Sequence, residues 1–319
     1  MRTPTTPYGA LIETRLRVVT WNLWWRLGEW RARAEAIAQT LEKLRPDLVC
    51  LQEVWQQSGD NQAASLAHRL GMEHTFSPDR TEGDLDRGVA LLSRWPLKDI
   101  ECRALPVPSG VDERTVALSA VVEGPRGPIL LVTTHLLPFP PRSELREQQV
   151  RALVALIAER GRQPPLIVLC GDFNAVPDAD EIRLLTGRRA PAVPGWTFLD
   201  AWETAGDGSP GFTMAKANPN AAPLLLPNLR WDYIFVNWPS LAGGGGHPVH
   251  AEIAGVEAVN GVVPSDHYAV LGPRRVCREV ATCTRPRSEA ACPPSWSRKN
   301  FRPRCRNPFV ANVLRATAP

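Results

Sequence analysis

Polar residues recur where apolar runs stop, and their types suit one chemistry. Asn22 follows VVTW, Glu53 follows LVCLQ, His135 follows LLVTT, and Asp172 and Asn174 follow LIVLCG. Asp232 sits inside WDYIFV, and Asp266 and His267 precede YAVL. The set holds carboxylates, amides and imidazoles but no Ser or Cys placed as a nucleophile. Such a mixture suits a hard divalent cation that activates water and neutralises a phosphate. Taken singly, most of these residues have a plainer reading. Asn22 would cap a turn, Glu53 would be a solvated strand-end acid, His135 a hydrogen-bonded core histidine, and residues 171–174 and 265–267 turns or caps. Asp232 is harder to dismiss, because its neighbours Trp231, Tyr233, Ile234 and Phe235 would bury it and a buried carboxylate needs a partner.

For these residues to meet, strand ends must converge at one rim. The run 16–22 (LRVVTWN) reads as a strand, and residues 30–44 repeat apolar side chains at Ala34, Ile37, Ala38, Leu41 and Leu44, the spacing of a helix. Pro46 and Asp47 punctuate before a second buried strand over 47–54. Strand, helix, strand predicts a crossover within one sheet. A helix over 61–70 stops at Gly71, and strands follow over 88–93, 114–123 and 128–136. Residues 143–159 read as the best helix of the chain and 166–170 (LIVLC) as a strand covered on both faces. Residues 177–221 read as loop with a short helix at 180–185, after which strand character resumes over 231–236, 250–256 and 268–271. Strands flanked by helices at both ends of this order predict an α+β domain of two packed mixed sheets with outer helices.

The strings TWNLWW, LQEVW, GVALLSRWPL, TTHL, GDFN, RWDYIFV and SDHYAV, in this order, resemble the endonuclease/exonuclease/phosphatase superfamily from about Val18 to Val270. The resemblance implies a four-layer α/β/β/α sandwich and a Mg²⁺-dependent hydrolase of phosphoric esters, with Mn²⁺ as a substitute. It implies that Glu53 binds the metal, with Asn22 near metal and phosphate and Asp266 in the metal network. Asp172 resembles the residue that orients and deprotonates water, and Asn174 its neighbour. His267 resembles the histidine at the scissile phosphate, oriented by Asp232, and His135 occupies the nuclease-type histidine position. Arg114 corresponds to a phosphate-contacting arginine. One departure stands out: where several repair nucleases have an aspartate two residues after the asparagine, this chain has Trp24, so an apolar wall of Trp24 and Trp25 is expected instead. The cluster Trp21, Trp24, Trp25, Trp30 and Trp55 reads as core and rim packing rather than as a base-stacking surface.

Composition sets the remaining bounds. The 319 residues are 44% hydrophobic and 22% charged, which excludes wholesale disorder, and no run of about 18 apolar residues offers a spanning helix. Glu13, Arg15 and Arg17 interrupt any signal-like apolar stretch, so a cytoplasmic, monomeric protein is the expectation. Net charge is +4, but residues 273–319 carry eleven Lys and Arg against two acidic residues, which leaves the rest at −5. Expected boundaries are a flexible segment 1–15, the domain 16–272 and a basic tail 273–319 with seven prolines, read as disordered or as unselected sequence. Its four cysteines, Cys277, Cys283, Cys292 and Cys305, lack the spacing and the His of structural zinc sites. Cys50, Cys102 and Cys170 read as core or surface thiols. A nuclease is the first expectation for function. The alternatives are a phosphoesterase acting on phospholipids or small phosphorylated metabolites, and a non-catalytic protein that binds nucleic acid or an anionic surface through the tail.

Overall fold

The computed structural model describes residues 16–109, 114–125, 127–138, 141–160, 166–238 and 247–272; the expectations for 1–15 and 273–319 lie outside the described residues. In chain order the elements are β1 (Val18–Asn22), α1 (Trp30–Leu44), β2 (Leu48–Gln57), β3 (Asp60–Asn61), α2 (Gln62–Leu70), β4 (Glu73–Glu82), β5 (Leu85–Ser93) and β6 (Leu97–Leu105). They continue with β7 (Thr115–Gly124), β8 (Gly127–His135), α3 (Ser143–Arg160), β9 (Leu166–Asp172), α4 (Asp180–Leu185), β10 (Phe198–Asp200), α5 (Ala201–Ala205), β11 (Asp232–Asn237), β12 (Glu252–Ala254) and β13 (Ala269–Leu271). Helix α1 has the predicted bounds, and Asn61 is the cap of α2 rather than its first residue, its side chain accepting from the Ala64 amide. Strands β4 and β6 and the pair β10–α5 were not anticipated: segments 73–82, 97–105 and 198–205 are regular structure where the sequence reading placed none.

Two mixed sheets result. One runs β12-β13-β1-β2-β5-β4, with β3 on β2, and the other β10-β11-β9-β8-β7-β6. The expected crossover is present, β1 and β2 being parallel with α1 between them, and β8 and β9 pair in parallel through α3. Three apolar clusters separate four layers. Val19, Trp21, Val49 and Leu51 pack with Ile37 and Leu41 of α1 and Leu66 of α2. Leu130, Val132, Ile167 and Leu169 pack with Leu153, Leu156 and Ile157 of α3 and with α4. Between the sheets lie Val18, Cys50, Leu91, Leu118, Leu131, Cys170 and Ile234. Cys102 is exposed. Among the described residues no helix is long and apolar enough to cross a membrane.

Strand alternation carries this inter-sheet face to one rim. Side chains two apart share a face, so Val18 and Thr20 continue to Asn22, Leu131 and Thr133 to His135, Val168 and Cys170 to Asp172, and Val236 and Ile234 to Asp232. Register then sets the neighbours, with His135 opposite Asp172 across β8–β9 and Asp232 opposite Asp172 across β11–β9. Gly171 permits the close approach, because a Cβ there would fall inside the van der Waals shell of the Thr134 carbonyl oxygen. Gly171→Ala is expected to lower unfolding free energy by about 1–3 kcal/mol, the usual cost of an inserted methyl with nowhere to go, measured by urea denaturation. An unchanged midpoint would show that β8 and β9 can part without strain.

Candidate active site

Glu53 does not follow the alternation, and a bulge explains how it reaches the site. The β2–β5 register shifts between Leu51 and Val54, and Glu53 adopts φ +53°. An extra residue in a strand reverses parity beyond it: Val54 returns to the helix-facing cluster, and Glu53 is left half-buried beside Asn22. The amides of Leu23 and Trp25 donate to the carbonyls of Gln52 and Glu53, at 2.9 and 3.1 Å, and fix the bulge against the end of β1.

Asp172 is the hub. One of its oxygens, Oδ1, accepts from the Asn174 amide at 2.9 Å, and the other, Oδ2, accepts from Asn22 Nδ2 at 3.0 Å. The same Oδ2 lies 3.6 Å from His135 Nε2 and 3.8 Å from His267 Nε2. Asn22 also donates to Glu53 Oε1 at 3.3 Å, while its own carbonyl oxygen accepts from the Trp24 amide at 3.0 Å. Asn22 therefore presents N–H groups, not oxygen, to the two carboxylates. Asn174, at φ +48°, donates its side-chain N–H to the Leu136 carbonyl, tying the loop after β9 to the loop after β8.

Asp232 has the partner its burial requires: Oδ2 lies 2.8 Å from His267 Nδ1. Burial opposes a charge on this imidazole, yet the carboxylates of Asp232, Asp172 and Asp266 outweigh it and hold His267 well above its usual range. Burial lifts the Asp266 carboxyl to about 7, with repulsion from Glu53 added and His267 and Arg33 opposing. Asp172, Asp232 and His267 each place one potential ligand atom within 4.8 Å of the others, a group able to bind a metal.

The segment that carries Asp266 and His267 has the main-chain carbonyls of residues 264–267 engaged. Asn218 donates to the Ser265 and Asp266 carbonyls, both at 2.9 Å, and Trp21 Nε1 donates to the His267 carbonyl at 2.9 Å. Ser265 Oγ donates to the Asn22 carbonyl at 2.7 Å, and the Tyr268 amide donates to the Thr213 carbonyl at 2.7 Å.

Arg114 sits at the rim with its side chain exposed and its amide donating to the Asp79 carbonyl. Asp79 itself was not anticipated. It occupies a second bulge, between Pro78 and Arg80 of β4, where its buried carboxylate accepts from Arg87 Nε at 3.0 Å. Burial pushes that carboxyl up, against attraction from Arg87 and His135. A proline within a strand is the signal that would have marked the bulge. The tryptophans pack as expected: Trp21 is fully buried, and Trp30 and Trp55 meet edge to face with the Arg26 guanidinium over both rings.

The sequence profile of the Endonuclease/Exonuclease/phosphatase family matches residues 19–267, and the chain belongs to that family. It is 29% identical over 178 residues to protein angel homolog 2 of Danio rerio, a match spanning 50% of this chain and only 30% of that protein. An endonuclease/exonuclease/phosphatase family protein from Leptotrichia buccalis superposes with a TM-score of 0.62 at 18% identity, over 82% of this chain and 100% of that one. The D. rerio TDP2 structure complexed with a single-strand DNA product gives 0.62 at 22% identity, over 81% and 97%. At these identities the superpositions establish the fold.

Trp21→Phe deletes the indole N–H together with part of the ring's volume, leaving the buried His267 carbonyl unsatisfied and a gap beside it. A loss of about 1–3 kcal/mol is expected, measured by chemical denaturation, with full stability indicating that another donor takes over.

Proposed function

We propose that this protein is a divalent-metal-dependent phosphodiester hydrolase and that its substrate is nucleic acid. The observation that carries the hydrolytic reading is the convergence of Asn22, His135 and His267 on one oxygen of Asp172. A carboxylate so placed can orient a water, with two imidazoles beside the point where the phosphate would lie.

Glu53 and Asp266 are the oxygen donors that fit Mg²⁺, with Mn²⁺ as a substitute. Their mutual repulsion and the burial of Asp266 leave a site that a cation would relieve. The group Asp172, Asp232 and His267 fits less well, because His267 already bonds Asp232 and is held protonated, and an imidazolium is no ligand. When bound, the cation supplies charge neutralisation at a phosphate oxygen. The chain's own residues do the rest. Asp172, aimed by Asn22 and Asn174, takes a proton from water as the water oxygen bonds to phosphorus and the bond to the leaving oxygen breaks. His267, kept charged by its three carboxylates, donates to a phosphate oxygen as negative charge accumulates there. His135 protonates the leaving oxygen, and Arg114 contacts phosphate from the rim.

A cavity of about 450 Å³ on segments adjoining the site residues in sequence supports nucleic acid as substrate. It contains none of the catalytic groups but rests on their chain neighbours, Val176 two residues past Asn174 and Arg230 two before Asp232. The exposed Phe212 and Asn228 offer an apolar face and a polar edge that suit a planar base. One observation favours a second reading, a phosphoesterase acting on phospholipids: Leu224 and Leu225, on the segment leading to Asp232, are 52% and 88% exposed.

The test is Mg²⁺-dependent cleavage of supercoiled plasmid, single-stranded RNA, sphingomyelin and bis-p-nitrophenyl phosphate. Nucleic acid should be cleaved, and Asp172→Ala and His267→Ala should each lower the rate by on the order of 10²–10³. Turnover of sphingomyelin alone would transfer the assignment to the lipid reading. A folded protein with no metal-dependent turnover of any substrate would sink the hydrolase reading.

A further inference from the structure

Arg33 lies on the buried face of α1, one helical turn before Ile37, and only 2% of its surface is exposed. Among the described residues no carboxylate is bonded to it. Instead its N–H groups spread over main-chain carbonyls. Nε donates to Leu27 at 3.2 Å, Nη1 to Leu23 at 2.8 Å and Pro264 at 3.0 Å, and Nη2 to Trp24 at 2.9 Å, Trp25 at 3.1 Å and Leu27 at 2.7 Å. All the donor positions of a guanidinium are thereby used.

These carbonyls belong to two segments far apart in sequence. Residues 23–27 follow Asn22 directly, and Pro264 stands two residues before Asp266. The first segment is held in an uncommon shape, with Trp24 at φ +57°, Trp25 at φ +38° and Gly28 at φ +56°. The indole of Trp24 lies under the Arg33 guanidinium, at 4.6 Å, and fills the space a Cβ at position 28 would need. Left-handed backbone at two consecutive tryptophans persists only where the surroundings over-determine it. Arg33 provides that determination, and it also feels the charges of Asp266 and Glu53.

We infer that Arg33 is a positioning residue that sets the spacing between the Asn22–Glu53 side of the site and the Asp266–His267 segment, and through it the affinity for the divalent cation. The inference rests on the cation reading given under Proposed function. Lysine is the informative replacement. It keeps the charge and so leaves the electrostatic repulsion of a cation in place, but its ammonium has three donors in place of five and no planar group to lie on Trp24, so it cannot hold all five carbonyls of the two segments at once.

The experiment uses the full chain, first without substrate and then with one. Titration with MnCl₂ by isothermal calorimetry should show Arg33→Lys binding Mn²⁺ about 10- to 100-fold more weakly, the range typical of lost outer-sphere support. On bis-p-nitrophenyl phosphate at saturating Mn²⁺, kcat should fall while KM stays within about threefold. A merely structural role would lower Tm with normal Mn²⁺ affinity per folded molecule, and that result overturns the inference. A measurement on the unaltered protein does not depend on how the variant folds. The ¹⁵N-labelled Nε–H of Arg33 should be protected from exchange and should shift on saturation with MgCl₂, and no shift would equally overturn it. Glu53→Gln serves as the control: unchanged Mn²⁺ binding in that variant would remove the cation site itself, and the inference with it.

Discussion

A buried carboxylate must be hydrogen-bonded or paired, and meeting that need at Asp172 organises the rest of the site. Asp172 ends a strand whose inner face is otherwise Val168 and Cys170, so it leaves an apolar core directly at the rim. An isolated charge there would be expelled or protonated. Its donors come from both sheets: Asn174 from the loop that follows β9, and Asn22 from the end of β1 across the sandwich. The second bond crosses from one sheet to the other at this edge. Because Asn22 also holds Glu53, one amide couples the carboxylate proposed to activate water to the one proposed to hold the cation. Moving either sheet by a fraction of a hydrogen-bond length would lose one of these contacts.

The outer helices stabilise the rim by sending buried charge inward. On one side α1 sends Arg33 into a ring of carbonyls. On the other, Arg146 of α3 pairs with Glu181 of α4 at 2.6 Å, both fully buried, and Ser143 donates to the same carboxylate. Beside that pair, Gln149 accepts from the Leu137 amide and donates to the Pro106 carbonyl and the Thr115 hydroxyl, fastening the loop after His135 to the start of β7. Removing one member of a buried pair costs about 3–5 kcal/mol, whereas an exposed pair such as Lys43–Glu257 contributes less than about 1 kcal/mol. Among the described residues it is the buried pairs rather than the surface ones that hold the loops of the candidate site.

Much of this was legible in the sequence, for a physical reason. Elements buried on a full face write their period plainly, so α1 and the run LIVLC of β9 could be read directly. Strands β4 and β6 are sheet edges, and their sequences EHTFSPDRTE and LKDIECRAL are too polar and too irregular to show a clean alternation. The residues that end strands were visible because strand parity aims them. Asp79 and Arg33 were not. Asp79 is aimed by a bulge, which breaks the alternation by which strands are recognised. Arg33 looked like one more charge in WRARAEAIA, and only its place on the Ile37 face of the helix set it apart. Its partners are carbonyls, which leave no trace in the amino-acid sequence.

The two sheets divide the labour in the proposed reaction. The cation side, Asn22, Glu53 and Asp266, belongs to strands of one sheet and the loop entering β13; the water and leaving-group side, His135, Asp172, Asn174 and Asp232, belongs to the other. His267 enters from the first sheet and bonds Asp232 of the second at 2.8 Å. The separation between the halves is therefore set by the inter-sheet core of Val18, Cys50, Leu131, Cys170 and Ile234, all buried between the sheets. Protein interiors pack at crystal-like density, so even one methylene changed in this layer is felt as a shift of the sheets rather than absorbed. Geometry at a metal-dependent site tolerates little such shift. Residues at the centre of the sandwich thus bear on the geometry at its rim, where the hydrogen bonds Asn22 to Asp172, His267 to Asp232 and Gln52 to Thr133 cross from one sheet to the other.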